Sequence, residues 1–368
     1  MLACEAQDTS LETNIVESRT ITVGTGLSFR YAGGFRIQSG TFGSSRSGFS
    51  TGPIGIGTDG IWIAGHSHHF SVAKFDVPEL KISNEVKDLP IARNTKPYVK
   101  ISPAKWDKTR MIAGLYDDGE KLFVTTTEYY DADGNNKRDI AIVNRDNSQL
   151  GFFSARDNAR SAGWMGEIPQ GWQARLGGTH FLGHASNFPI NLRLSLGPSL
   201  YVWDGTPTNA ARAKALMVFP QPHSLGSFGR EPGAANPLFN QLSYVATAFI
   251  VGNDYVAVGR TGGLRTGIGY KVKQDNGKTC NGHCPYGADD WDNYYWKFAI
   301  DEILDANNPH DARPYEYGPL TLETGGALIT GAAYKDRTLY LATSGDWHQS
   351  KFESNPVIFV HKIVDANF

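Results

Sequence analysis

The chain has little cysteine, no long apolar run and no surplus of either charge, and each shortage excludes a class. Its 368 residues include three cysteines, Cys4, Cys280 and Cys284, too few for the disulfide framework that holds small secreted domains together. No run of 18 apolar residues occurs, so the sequence offers no transmembrane helix. Lys and Arg number 35 against 37 Asp and Glu, a formal charge of −2. Nucleic acid and anionic membrane are therefore excluded as general partners, and an anionic ligand would need a local basic pocket. Helical patterning is also scarce, confined to 162–176 and 300–306.

What is abundant is turn and ring chemistry. The 41 glycines and 18 prolines, with 19 Phe, 16 Tyr and 8 Trp, suit a turn-rich all-β chain. Hydrophobic residues make up 40%, which excludes collagen and disorder and allows a large core. The length exceeds the roughly 250–300 residues at which one core stops growing, so several domains or one closed repeating architecture is expected.

A repeat decides between these. A short apolar strand, a tight turn with Asp, Gly or Asn, and a second apolar strand recur at 55–65, 113–124, 248–258 and 332–342, with a looser copy at 194–203. Blades of four strands and about 40–50 residues would number seven at this length, which predicts a seven-bladed β-propeller of mostly four-stranded antiparallel blades. The strand 357–362 is expected to close the ring against an N-terminal strand. An array of two-sheet sandwiches is the alternative.

Residues 1–20 read as a polar leader and 21–368 as a single domain. The opening Met1-Leu2-Ala3-Cys4 resembles the end of a lipoprotein signal, with Cys4 the lipidated residue. An exported monomer is expected, whether secreted, periplasmic or a surface lipoprotein.

In a propeller, residues flanking the hairpins converge on one mouth. Counting outward from the turns pairs Tyr244 with Arg260, sets the Phe49–Thr51 stretch opposite His66, and places His184 and Asn187 before a strand whose hairpin returns at Asp204. Tyr129 and His348 end the corresponding strands of two further blades. Arg260 beside Tyr244 suits a carboxylate, with plain cross-strand packing as the bland alternative. His184 is a candidate base or donor, or a loop histidine bonded to backbone. Of His66, His68 and His69, strand alternation would turn only His66 to the mouth.

Cys280, His283 and Cys284 form a cluster suited to a structural zinc, for which His223 is a candidate fourth ligand. A Cys280–Cys284 disulfide is the alternative. Either would pin a long loop. Asp131, Asp133, Asn135 and Asp139 have the oxygen spacing of a calcium loop, but the glycine is misplaced, so a polar hairpin tip is expected.

These residues resemble the seven-bladed propeller polysaccharide lyases, the group of ulvan lyases and rhamnose–glucuronate lyases. In that group a Tyr precedes an Arg by about sixteen positions, as Tyr244 precedes Arg260. One or two upstream His residues precede them, where this chain has His184 and then Asp204 in place of a second His. A structural zinc held by Cys and His follows. The resemblance implies β-elimination on a uronic-acid glycan, with Arg260 neutralising the carboxylate and His184 and Tyr244 as base and acid. His66, Asn187, Tyr129, Asp204 and His348 would bind substrate, and no organic cofactor is implied. A glycoside hydrolase on the same scaffold would need two carboxylates, for which Asp204 and Asp346 are available. A non-catalytic glycan-binding propeller is the third reading.

Overall fold

The computed structural model describes residues 18–50, 52–83, 85–101, 110–128, 140–154, 163–184, 197–206, 213–219, 231–347 and 353–365. Five antiparallel sheets are arranged as the blades of a β-propeller. The first blade is built from Ile54–Ile56, Ile61–Ala64, Ser71–Phe75 and Asn94–Lys100, and the second from Arg110–Asp117, Lys121–Glu128, Ile140–Asn144 and Gln149–Phe153. The third is Met165–Glu167, His180–Leu182, Leu200–Trp203 and Lys214–Met217, and the fourth Tyr244–Val251, Asp254–Gly262, Trp291–Ala299 and Glu316–Pro319. Ile329–Lys335, Thr338–Trp347 and Asn355–Asp365 begin the fifth blade, and the N-terminal strand Leu27–Ile37 completes it.

This last pairing closes the ring as the sequence suggested. Leu27 lies opposite Asp365 and Arg36 opposite Val357, an antiparallel seam joining the two ends of the described chain. The innermost strands of successive blades touch one another all the way round, the fifth meeting the first.

The expected blade number, seven, is corrected to five. Dividing the length by an ordinary blade overcounted because part of the chain lies in connections, such as 231–243 ahead of the fourth blade. Five hairpin copies were legible, and five is the blade count. The looser copy was misplaced, however. Leu200–Trp203 is the third strand of its sheet, and the inner hairpin of that blade joins Met165–Glu167 to His180–Leu182. Its connection holds the helix Gln170–Leu176 instead of a tight turn, so it lacks the hairpin signature. The second short helix, Ile300–Asp305, falls where the sequence indicated.

The core is distributed rather than central. Five buried apolar clusters occur, one between each pair of neighbouring blades. Alternation along Ile61–Ala64 shows why: Ile61 and Ile63 pack toward the fifth blade, while Trp62 and Ala64 pack toward the second. A strand buried on both faces reads as an unbroken apolar run. Where neighbouring backbones meet near the axis, only glycine fits: a Cβ on Gly331 would lie 1.8 Å from the Gly52 carbonyl oxygen, and one on Gly114 1.7 Å from that of Gly163.

The closing seam also carries an acid-sensitive group. His361, opposite Tyr31 across the seam, is fully buried with Nε2 3.2 Å from Glu323. Burial lowers the His361 pKa, with Glu323 opposing, and Tyr31 is raised to about 12 by burial and then by Glu323. A histidine depressed by folding contributes stability above its unfolded value of about 6.5, lost as pH falls through the folded value. Denaturant midpoints measured from pH 7 downward should therefore fall below about pH 6.5, and His361→Phe should flatten that decline. Phe29→Ala, on the N-terminal strand and fully buried, should cost about 3–5 kcal/mol in the same measurement. A near-zero cost would mean that this strand does not close the ring.

Candidate functional site at the Tyr244 rim

The first residue of the fourth blade's inner strand and the seventh of its second strand are cross-strand partners, and these are Tyr244 and Arg260. Their positions bring both to one end of the ring. The Arg260 guanidinium lies 4.9 Å from the centre of the Tyr244 ring and 6.0 Å from that of Trp291. Two carbonyls of the fifth blade hold the pair: the Tyr244 hydroxyl donates to Thr330 O at 3.0 Å, and Arg260 Nη1 to Ile329 O at 3.1 Å. Tyr244 is 8% exposed, and Arg260 is the more accessible of the two.

The environment of Arg260, which is half-buried, sets it apart from the fully buried cations. Lys74, at 1% exposure, is paired with Asp59 and lies 3.8 Å from Asp117. Lys297, at 0%, lies 3.3 Å from Glu316 and 3.7 Å from Asp254. Arg260 has no carboxylate partner among the described residues. Burial lowers its pKa, opposed by Tyr244 alone, while burial raises the Tyr244 pKa with Arg260 opposing. The result is a neutral phenol under a cation short of an anion.

His66 belongs to the same rim. Ser50 bridges to His66, and Gly52 packs so closely on Thr330 that an added Cβ would lie 2.2 Å from the carbonyl oxygen that receives the Tyr244 hydroxyl. The expected separation of His68 from His69 is corrected. Residues 66–69 form a turn, closed by the His69 amide donating to His66 O at 2.7 Å, so strand alternation does not apply. Both rings lie against His66, at 5.1 and 4.9 Å between centroids. The His68 amide donates to His66 Nδ1 at 3.1 Å. Burial, then Arg46, His69 and His68, lower the His66 pKa and favour its neutral form.

His184 follows the strand His180–Leu182 and is wholly enclosed, its amide donating to Ser199 Oγ at 2.9 Å. It is thus not at an open mouth. Asp204 does not share its end of the sheet. His180 pairs with Trp203, which puts exposed Asp204 at the far end of the blade, where its carbonyl receives the Thr179 hydroxyl. Asn187, Tyr129, His348 and His223 lie outside the described residues, as do Cys4, the Asp131–Asp139 stretch and the Asp346 side chain.

Cys280 and Cys284 are joined as a disulfide. In this state their sulfurs hold each other, and the His283 ring rests 4.9 Å from that of Tyr270. Sequence reasoning missed the Ile329 and Thr330 carbonyls, which orient the Tyr244–Arg260 pair. It could not have found them, since any residue type supplies a carbonyl.

No family model and no curated protein matches the chain. Among solved structures, an endo-arabinanase of glycoside hydrolase family 43 from Bacillus licheniformis aligns at a TM-score of 0.41 and 11% identity, over 88% of this chain and 95% of that one. The extracellular domains 1–2 of Drosophila Semaphorin 1a align at 0.34 and 9%, over 83% of this chain and 52% of that one. Neither similarity enters the functional argument.

Replacing Arg260 with Met tests whether its charge is structural. A half-buried cation without a counter-charge among the described residues costs stability, so Arg260→Met should unfold at no lower denaturant concentration than the parent, with a gain of up to about 2 kcal/mol. A loss above about 1 kcal/mol would assign the guanidinium to holding the fold.

Proposed function

We propose that the chain is a polysaccharide lyase that cleaves a uronate-containing glycan by β-elimination. One observation carries the reading: Arg260, packed against Tyr244 at the rim and half-buried, has no carboxylate of its own among the described residues. A substrate carboxylate would complete it, forming the two parallel hydrogen bonds that a guanidinium provides. The five-blade ring differs from the seven-bladed lyases, so the proposal stands on this pair and not on the architecture.

The chemistry follows from the substrate. The C5 proton of a uronate becomes removable once the adjacent carboxylate is neutralised, which is the role of Arg260. A base takes that proton, the C4–O4 bond breaks, a C4=C5 double bond forms, and O4 receives a proton. Tyr244, kept protonated by burial, suits the donor to O4. His184 is the proposed base, and its enclosure would have to open to admit substrate. His66, with Nδ1 occupied by the His68 amide, is left to offer Nε2–H to the substrate.

Export is part of the same proposal, since the Cys280–Cys284 disulfide suits an oxidising compartment. The substrate class would be ulvan-like or glucuronate–rhamnose glycans, taken by a monomer.

Incubation with ulvan, gum arabic and other uronate glycans should yield the ultraviolet absorbance of an unsaturated uronate. Tyr244→Phe should reduce the rate about 10²–10⁴-fold without changing the circular dichroism. New reducing ends without that absorbance would instead identify a hydrolase, and neither signal a binder.

A further inference from the structure

The Tyr244 rim is one end of an axial channel, and the other end has different chemistry. A cavity of about 470 Å³ runs along the inner strands, from Pro53 and Tyr244 to Asp336 and Arg337. At the Tyr244 end its lining residues, such as Pro53 and Trp164, are buried. At the far end Glu167, Gln170, Asp336 and Arg337 are exposed, so the cavity opens there. Its walls combine small residues, among them Ala113, Gly114, Ala246 and Ala332, with aromatic rings such as Tyr116 and Tyr334.

We propose that this far mouth is a second binding site, for a neutral, hydroxyl-rich ring such as a mono- or disaccharide end. Of the charged residues lining it, Asp117 is held within the fold by Lys74 at 3.8 Å and Arg145 at 3.5 Å, which leaves Glu167 and Asp336 against Lys335 and Arg337, so the mouth favours neither an anion nor a cation. This contrasts with the lone guanidinium at the opposite rim. Glu167 forms no ion pair among the described residues; its Oε1 receives the Tyr116 hydroxyl at 2.9 Å, which leaves further lone pairs for hydroxyl donors. Gln170 and Gln173 line the same opening and offer amide donors and acceptors.

The rings complete the match. Tyr116 packs edge-on to His180 at 5.7 Å, and Tyr334 stacks on Phe249 at 4.4 Å, both lining the cavity as rigid aromatic surfaces for the C–H face of a sugar. Burial, followed by Glu167, raises the Tyr116 pKa, so the phenol stays protonated and its hydrogen bond to Glu167 persists. The volume falls in the range of small-molecule sites. The inference is independent of the lyase reading and stands whether or not uronate glycans are cleaved.

Calorimetric titration of the full chain with rhamnose, xylose, galactose and cellobiose, with glucuronate and glucosamine as charged counterparts, tests it. At least one neutral sugar should bind saturably with a Kd in the ~1–10 mM range. Glu167→Ala and Gln170→Ala, both at exposed positions, should each weaken that binding, Glu167→Ala by about tenfold or more. Arg260→Met should leave it unchanged. Binding confined to the charged counterparts, or no binding by any neutral sugar, would overturn the proposal. So would binding that responds to Arg260→Met and not to Glu167→Ala, because the sugar would then occupy the opposite rim.

Discussion

The backbone seam between Leu27–Ile37 and Asn355–Asp365 is the constraint on which the molecule depends. A blade alone exposes two apolar faces and gains little from folding. Enclosed in a ring, it buries both, and this is possible only if the first and last blades also meet. The seam supplies that meeting by giving the fifth blade its outermost main strand from the other end of the chain. Closure couples distant segments: the cluster between the fourth and fifth blades contains Leu27 and Phe29 as well as Phe249, Leu341 and Phe359.

Ring closure also explains the rim. Five inner strands converge on one axis closely enough that Gly52 and Gly331 approach backbone to backbone. The fifth blade's Ile329 and Thr330 carbonyls are thereby brought to the fourth blade's Arg260 and Tyr244. Buried cations elsewhere resolve their desolvation internally, Lys74 through Asp59 and Asp117, Lys297 through Glu316 and Asp254. Among the described residues Arg260 receives carbonyl dipoles and an aromatic face but no counter-charge, so they leave electrostatic free energy unrecovered at this position. Such a deficit is what a site for an anion requires before the anion arrives.

The sequence made the all-β class, the hairpins and the closing strand legible because these depend on local turn chemistry and on apolar strands. The hairpin at Gly252-Asn253 brought Tyr244 into the neighbourhood of Arg260, and the bulge between Val245 and Thr247, which the turn alone does not reveal, sets them directly opposite. The blade number was not legible from length, because connection length is unconstrained by the repeat. The third blade's inner hairpin was hidden by the helix Gln170–Leu176, and that displacement carried Asp204 to the wrong end of the sheet. Burial was equally invisible: nothing local distinguishes His184, enclosed at 0% exposure, from a histidine at an open mouth.

The two ends of the ring differ for a topological reason. Four of the five inner strands run from the Tyr244 end to the far end and return through a tight turn, such as Asp336-Arg337, both in the left-handed region with φ of 48° and 58°, while the third returns through the helix Gln170–Leu176. At the Tyr244 end the chain must pass between blades, as it does at 231–243 ahead of the fourth blade's inner strand. Long connections can vary in length and composition without disturbing the blades. Tight turns cannot, so polar groups such as Asp336 are positioned by the strands that the turn joins, and Glu167 by its place at the end of Met165–Glu167. The Tyr244 end, which the proposed uronate site occupies, is therefore bordered by connections between blades, and the far end, which the proposed neutral-sugar site occupies, mainly by short turns.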